Sequence, residues 1–157
     1  MLEHRRRTWV MLLGAALMLA SCSDRRESES SERAIDRAVG GTLLQYFEQT
    51  YPGLELIKIA RKDLNGDGRD DLIVMYRLSG DKNMMRVILD LGDGFLATNE
   101  VPAPIEDQII QFRDIDKKPP MEFIVQGSKG SKSGFAVFRI ENHRLVDLFG
   151  EGMEDCC

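Results

Sequence analysis

The sequence predicts a mainly β protein: two four-stranded antiparallel, blade-like sheets built from an internal repeat, with one N-terminal helix. Three observations carry this reading. The stretch DLNGDGRDDLIV, Asp63 to Val74, is an acidic loop running straight into an apolar strand, and DIDKKPPMEFIV, from Asp114, repeats its layout over twelve positions. Around both loops, short apolar runs alternate with turns rich in Gly, Asn, Asp and Ser, the pattern of antiparallel strands. Before the first copy stands a single segment whose apolar residues recur at helical spacing.

Taken in order, residues 1–21 read as a secretory leader. Arg5, Arg6 and Arg7 precede a 12-residue apolar core, Trp9 to Ala20, well short of the roughly 20 residues that span a bilayer as a permanent helix. Leu19, Ala20, Ser21 and Cys22 resemble the lipobox of bacterial lipoproteins, which implies lipidation of Cys22 and an extracytoplasmic protein anchored to a bacterial membrane. An ordinary signal peptide with a chance Cys, or a buried helix, is the alternative. Several acyl chains on one residue would anchor stably where one is marginal. Ser23 differs from the Asp that resembles an inner-membrane retention signal in enteric bacteria, so the outer membrane stays open.

Residues 22–32 form a tether, since SDRRESESSE contains no apolar side chain to offset the entropy of ordering. A single β-rich domain is expected over 33–157. It opens with a helix over 33–51, capped by Ser31, with Ile35, Ala38, Val39, Leu43, Leu44 and Phe47 on one face. Covering a sheet suits that face better than binding a partner. Gly40 and Gly41 each cost about 1 kcal/mol in a helix interior, so a break or close packing is expected there.

Repeat one spans 54–100 and repeat two 105–150, with the copies 51 residues apart at the acidic loop and 49 apart at the later turn. Strands are expected at Leu54 to Ala60, Asp71 to Leu78, MMRVILDL and from Phe95, and again at Gln108 to Phe112, Glu122 to Gln126, FAVFRI and from Leu145. Two blades cannot close a propeller, so some edges must be covered by the helix, the other sheet or another molecule.

Loss of Arg5, Arg6, Arg7 and Glu3 with the leader takes 21 basic and 26 acidic residues to 18 and 25, a net charge of −7. That balance argues against nucleic acid and against an anionic membrane surface as electrostatic partners. Cations remain attractive.

The first acidic loop has the pattern of a calcium site. Asp63, Asn65, Asp67, the carbonyl of Arg69 and Asp71 occupy positions 1, 3, 5, 7 and 9 of a loop that can wrap a hard cation, and Gly68 allows the sharp turn. Val74 stands where an EF-hand needs its bidentate Glu, so this is not an EF-hand. The loop and its flanking strands resemble the calcium loops of FG-GAP and related propeller-type repeats, which implies weak Ca²⁺ binding, about 10⁻⁴ to 10⁻³ M. A metal-free hairpin held by Asx-turns is the alternative. In the second loop Lys118 replaces the central Asp and Pro119 the Gly, so that loop reads as structural, with Lys118 pairing Asp114, Asp116 or Glu122. No His, Ser or Cys is expected beside either loop, and His143 reads as a solvated turn residue.

Chemistry falls to the terminal Cys156 and Cys157. Gly150 and Gly152 suggest a mobile tail over 151–157, packed on nothing, and the surrounding Glu151, Glu154 and Asp155 disfavour thiolate. Redox exchange, capture of a soft metal ion by two thiolates, and a pair of unremarkable thiols are the three readings. The tail resembles the C-terminal Cys-Cys or Cys-selenocysteine ends of certain reductases and the vicinal pair of mercuric reductase. Length, lipobox, acidic-loop repeat and terminus together resemble the Cys-Cys-COOH (seleno)protein family called SaoC. That resemblance implies a neighbouring ABC-type transport system as partner; both tail positions here are Cys, so dependence on selenium is not implied.

Two functions follow. One is a lipid-anchored accessory thiol protein, rather than an enzyme, that exchanges electrons or a soft ion with a membrane partner. The other is a calcium-stabilised β-repeat binding module with no chemistry of its own.

Overall fold

The computed structural model describes residues 41–157; the leader, Cys22, the tether and the expected helical residues 33–40 lie outside them. Helix α1 covers 41–50. Gly41, the first described residue of this helix, has a left-handed φ of 51°. At the other end Tyr51 N–H donates to the Phe47 carbonyl at 2.8 Å before the chain turns at Gly53.

The chain then builds two antiparallel meanders. The first contains β1 (Glu55–Lys62), β2 (Asp71–Ser79), β3 (Lys82–Asp90), β4 (Phe95–Ala97) and β5 (Val101–Ala103). The second runs β6 (Glu106–Phe112), β7 (Phe123–Lys129), β8 (Lys132–Glu141) and β9 (Arg144–Glu151) in that spatial order. The fold is therefore mainly β with two sheets, as the repeat predicts. Corresponding pairs mark the duplication: Leu72 lies opposite Ile88, and Phe123 opposite Phe138.

The fifth strand of the first sheet has a local cause. Both β4 and β5 pair with β3, at Ile88–Asp90 and at Asn83–Met85 respectively, so the fourth strand of this copy is one edge strand interrupted in the middle. Thr98 fills the interruption, donating its N–H to the Val87 carbonyl at 2.9 Å and accepting the Val87 N–H on Oγ1 at 3.1 Å. Pro102, which has no N–H to give, is tolerated because this is an edge.

The sheets stack face to face. Ile73, Met75, Met85, Val87 and Leu89 from the first meet Phe123, Val125, Ala136, Phe138 and Ile140 from the second in one buried cluster. On its other face the first sheet buries Leu72, Val74, Tyr76, Met84 and Ile88 under Leu43, Leu44 and Phe47 of α1. Strands β2 and β3 are thus covered on both sides, which is why LIVMY reads as a continuous apolar run rather than an alternation. The outer face of the second sheet has no such helix among the described residues, and Phe149 there is 61 % exposed.

Two polar clamps join the layers. Asn99, in the interrupted edge, accepts the Leu145 N–H and donates to the Leu145 carbonyl, tying the first sheet to β9. The Asn83 and Gln108 amides both donate to the carbonyls of Pro104 and Ile105, fixing the link between the sheets. Among the described residues no helix is long and apolar enough to cross a membrane.

Candidate functional site

In the first acidic loop, Asp63 accepts the N–H groups of Gly66 and Gly68 at 2.8 and 2.9 Å, and Asn65 Oδ1 accepts that of Asp67 at 3.0 Å. Asp67 Oδ1 takes the Arg69 N–H at 2.9 Å, while Oδ2 receives the Asn65 amide and, at 2.6 Å, the Arg69 guanidinium. Slight desolvation opposes these bonds, yet the Arg69 N–H, the Asn65 amide and the Arg69 charge hold Asp67 below the usual carboxylate range. Positive φ values of 81° and 84° at Gly66 and Gly68 let successive N–H groups turn inward. The Asp63 and Asp67 carboxylates are thus turned to the loop's own N–H groups and, for Asp67, to the Arg69 guanidinium, and any cation would compete with that guanidinium for Asp67.

Asp71, the last acid of this loop, is fully buried at the head of β2. Its Oδ2 accepts the Leu64 N–H at 2.9 Å and its Oδ1 the Asp90 N–H at 3.0 Å, closing the loop onto β3. Burial pushes its carboxyl up to about 6, against the pull of those two N–H groups and with the help of the Asp67 and Asp63 charges.

The second loop repeats this closure. Glu122 is buried, and its Oε2 accepts the Ile115 N–H at 3.0 Å, the counterpart of the Asp71 to Leu64 bond. Asp114, Asp116 and Glu122 bring carboxylate oxygens within 4.8 Å of one another, a convergence that invites a cation. The cation present is Arg139, which reaches from β8 to Asp116 Oδ2 and Glu122 Oε1, both at 3.1 Å, and to Glu141 at 2.6 Å. The expected counterion, Lys118, instead contributes its backbone N–H to Asp116 Oδ1. The sequence points to a counterion within the loop; the partner comes from a strand that the hairpin folds back across it.

One histidine shares a cleft with the loops. Both loops lie at one end of the sandwich, with Gly66 facing Pro119, and a cleft there is lined by Asn65, Asp67, Pro120, Glu141 and His143. His143 occupies the β8–β9 turn with φ 60°, exposed as predicted, but face-to-face stacking of the sheets carries that turn to the first loop.

The cysteine tail is not mobile. Residues Met153–Cys156 form a single turn, α2, after Gly152 at φ 69°, and this turn packs against β8, β7 and β5. Cys156 is fully buried, and its carbonyl accepts the Ile105 N–H at 3.1 Å. The glycines allow close approach rather than motion: a Cβ on Gly134 would meet the Gly152 carbonyl carbon and oxygen at 2.5 Å. Both cysteines are free thiols, their Sγ atoms 3.2 Å apart. Burial, the hydrogen bond with Cys156 and the nearness of that group raise the Cys157 thiol far above its ordinary value, with Lys129 pulling the other way. Met153 was missed from sequence; its Sδ lies 3.8 Å from each Sγ. Its spacing of three and four from the cysteines becomes a signal only once the segment is helical.

Compared with known proteins, the chain matches no family model, no curated protein and no solved structure. The fold and the two sites therefore define the class: a two-sheet repeat domain bearing an acidic end and a docked pair of reduced thiols.

Proposed function

We propose that this is a lipid-anchored extracytoplasmic accessory protein whose terminal Cys pair takes up a soft metal ion and passes it to a membrane partner such as an ABC-type transport system. The observation that carries this reading is the pair itself, two free sulfurs 3.2 Å apart on a docked turn. A raised thiol is a poor attacking nucleophile, which weighs against thiol redox exchange, whereas a soft cation offsets the cost of forming two adjacent thiolates. Cys22 would supply the anchor and residues 22–32 the reach. In this reading the first acidic loop is a weak Ca²⁺ brace that stiffens one end of the holder.

The test is a titration of the reduced, oxygen-free full chain with Cd²⁺, read by sulfur-to-metal charge-transfer absorption. One equivalent should saturate the wild type, and Cys156→Ser, Cys157→Ser should show no such band. Equal spectra for the two proteins would refute the reading. A calcium-stabilised binding module without chemistry of its own is favoured by one observation, the cleft where Asn65 and Asp67 face Pro120 and His143. That second reading requires the double serine variant to support the cell as well as the wild type does.

A further inference from the structure

We propose that Met153 completes a three-sulfur site with Cys156 and Cys157 and that the ion it selects is copper(I). This rests on the Cys-pair reading and deepens it by naming a third ligand and an ion. Met153 Sδ lies 3.8 Å from Cys156 Sγ and 3.8 Å from Cys157 Sγ, and the two Sγ atoms are 3.2 Å apart. The centre of that triangle is roughly 2.1 Å from each sulfur, close to the ~2.3 Å of a zinc–thiolate bond, so an ion of first-row transition-metal size fits with little movement.

The fold holds the three atoms there. Helical positions three and four apart share a face, and the turn that creates the spacing is set by the Gly152 carbonyl, which accepts the N–H groups of Asp155 at 3.1 Å and Cys156 at 3.2 Å. Met153 packs against the core between the sheets, Cys156 is wholly buried, and Cys157 is partly exposed, which gives an ion access from the Cys157 side. Asp155 pairs with Lys132 on β8 at 2.6 Å.

Ligand chemistry then chooses the ion. Hard cations prefer oxygen and zinc rarely takes a thioether, whereas a set of two thiolates and one thioether suits copper(I). Binding releases two thiol protons to solvent, forms two copper–thiolate bonds and one dative copper–thioether bond, and changes no oxidation state, because copper arrives as copper(I). The resulting centre carries one net negative charge, which the nearby Lys129 partly offsets.

The experiment is an anaerobic competition titration of copper(I) against a chromophoric copper(I) chelator, using the full chain, Met153→Leu and Cys156→Ser, Cys157→Ser. Leu keeps the volume of Met, and near-ultraviolet circular dichroism checks that the turn is retained. The expected result is one tightly held copper(I) in the wild type, at least about tenfold weaker binding in Met153→Leu with Cd²⁺ binding changed less than twofold, and loss of both in the serine variant. X-ray absorption of the copper-loaded wild type should count three sulfurs, and that count tests the third ligand whether or not the leucine variant folds. Two sulfurs, or unchanged copper(I) affinity in Met153→Leu, overturns the three-sulfur site and leaves the Cys-pair reading standing. Wild-type binding no tighter than that of the serine variant overturns both.

Discussion

Arg139 Nη1 on β8 donates to the buried Glu122 Oε1 at 3.1 Å, placing a tethered positive charge where the second acidic loop converges. In the first copy the corresponding place, one residue beyond Ile88 in the strand register, is the buried Leu89. The second loop thus carries a built-in cation where the first copy has an apolar side chain. Arg139→Met leaves Glu122 buried without its partner, so the melting temperature should fall by roughly 5–10 °C. Millimolar Ca²⁺ or Mn²⁺ should restore part of the loss. Calorimetry showing no loss, or a loss that cations leave untouched, refutes the substitution of arginine for a metal.

Asp67→Ala tests the first loop. If Ca²⁺ binds there with a Kd near 1 mM, 10 mM Ca²⁺ stabilises the wild type by about 1.4 kcal/mol. The variant should lack that increment. Identical wild-type melting curves in calcium and in chelator would sink the assignment of Asp63, Asn65, Asp67 and the Arg69 carbonyl as ligands; Asp71, expected as a fifth, is buried and bonded to the Leu64 and Asp90 N–H groups instead.

Asp71 makes the metal-free fold sensitive to acid in an uncommon direction. Its carboxyl is pushed up to about 6, above the ~3.9 of an unfolded chain. Between those values the folded state holds a proton that the unfolded state has released, so this group contributes stability at pH 4 that disappears as pH rises through 6. The contribution is on the order of 2 kcal/mol. Denaturant melts of wild type and Asp71→Asn in chelator should diverge across that window, the asparagine curve being the flatter; parallel curves contradict the raised value.

Gly134→Ala should undock the tail. The new Cβ collides with the Gly152 carbonyl, which sits at the entry to α2. Cys156 is buried in the native fold, so thiol-specific alkylation in the folded wild type should label it slowly, and in Gly134→Ala at least about tenfold faster. Mass spectrometry of Cys156 labelling decides the matter, and equal rates mean that the turn does not protect the thiol.

Cys22→Ser removes the proposed acceptor of lipid. Membrane fractionation of the producing bacterium should show the processed, membrane-bound form lost. A variant with wild-type distribution and mature mass shows that Cys22 is not the anchor.

What the sequence determined by itself was local and periodic. The alternation of short apolar runs with Gly, Asn and Asp turns specified eight of the strands, the three-and-four spacing of Leu43, Leu44 and Phe47 specified a helix face, and the doubled acidic loop specified two copies. Each of these is a choice made within a dozen residues, where turn chemistry and side-chain period act directly. Tertiary structure decided everything that needed two distant segments. It stacked the sheets face to face, set His143 and Asp67 around one cleft and carried Arg139 to Glu122. It also turned two glycines that read as flexibility into points of close backbone contact that hold Cys156 inside. The reason is the same throughout: a buried charge or a buried sulfur is stabilised by whatever neighbour the packing supplies, and that neighbour's identity is not written beside it in the chain.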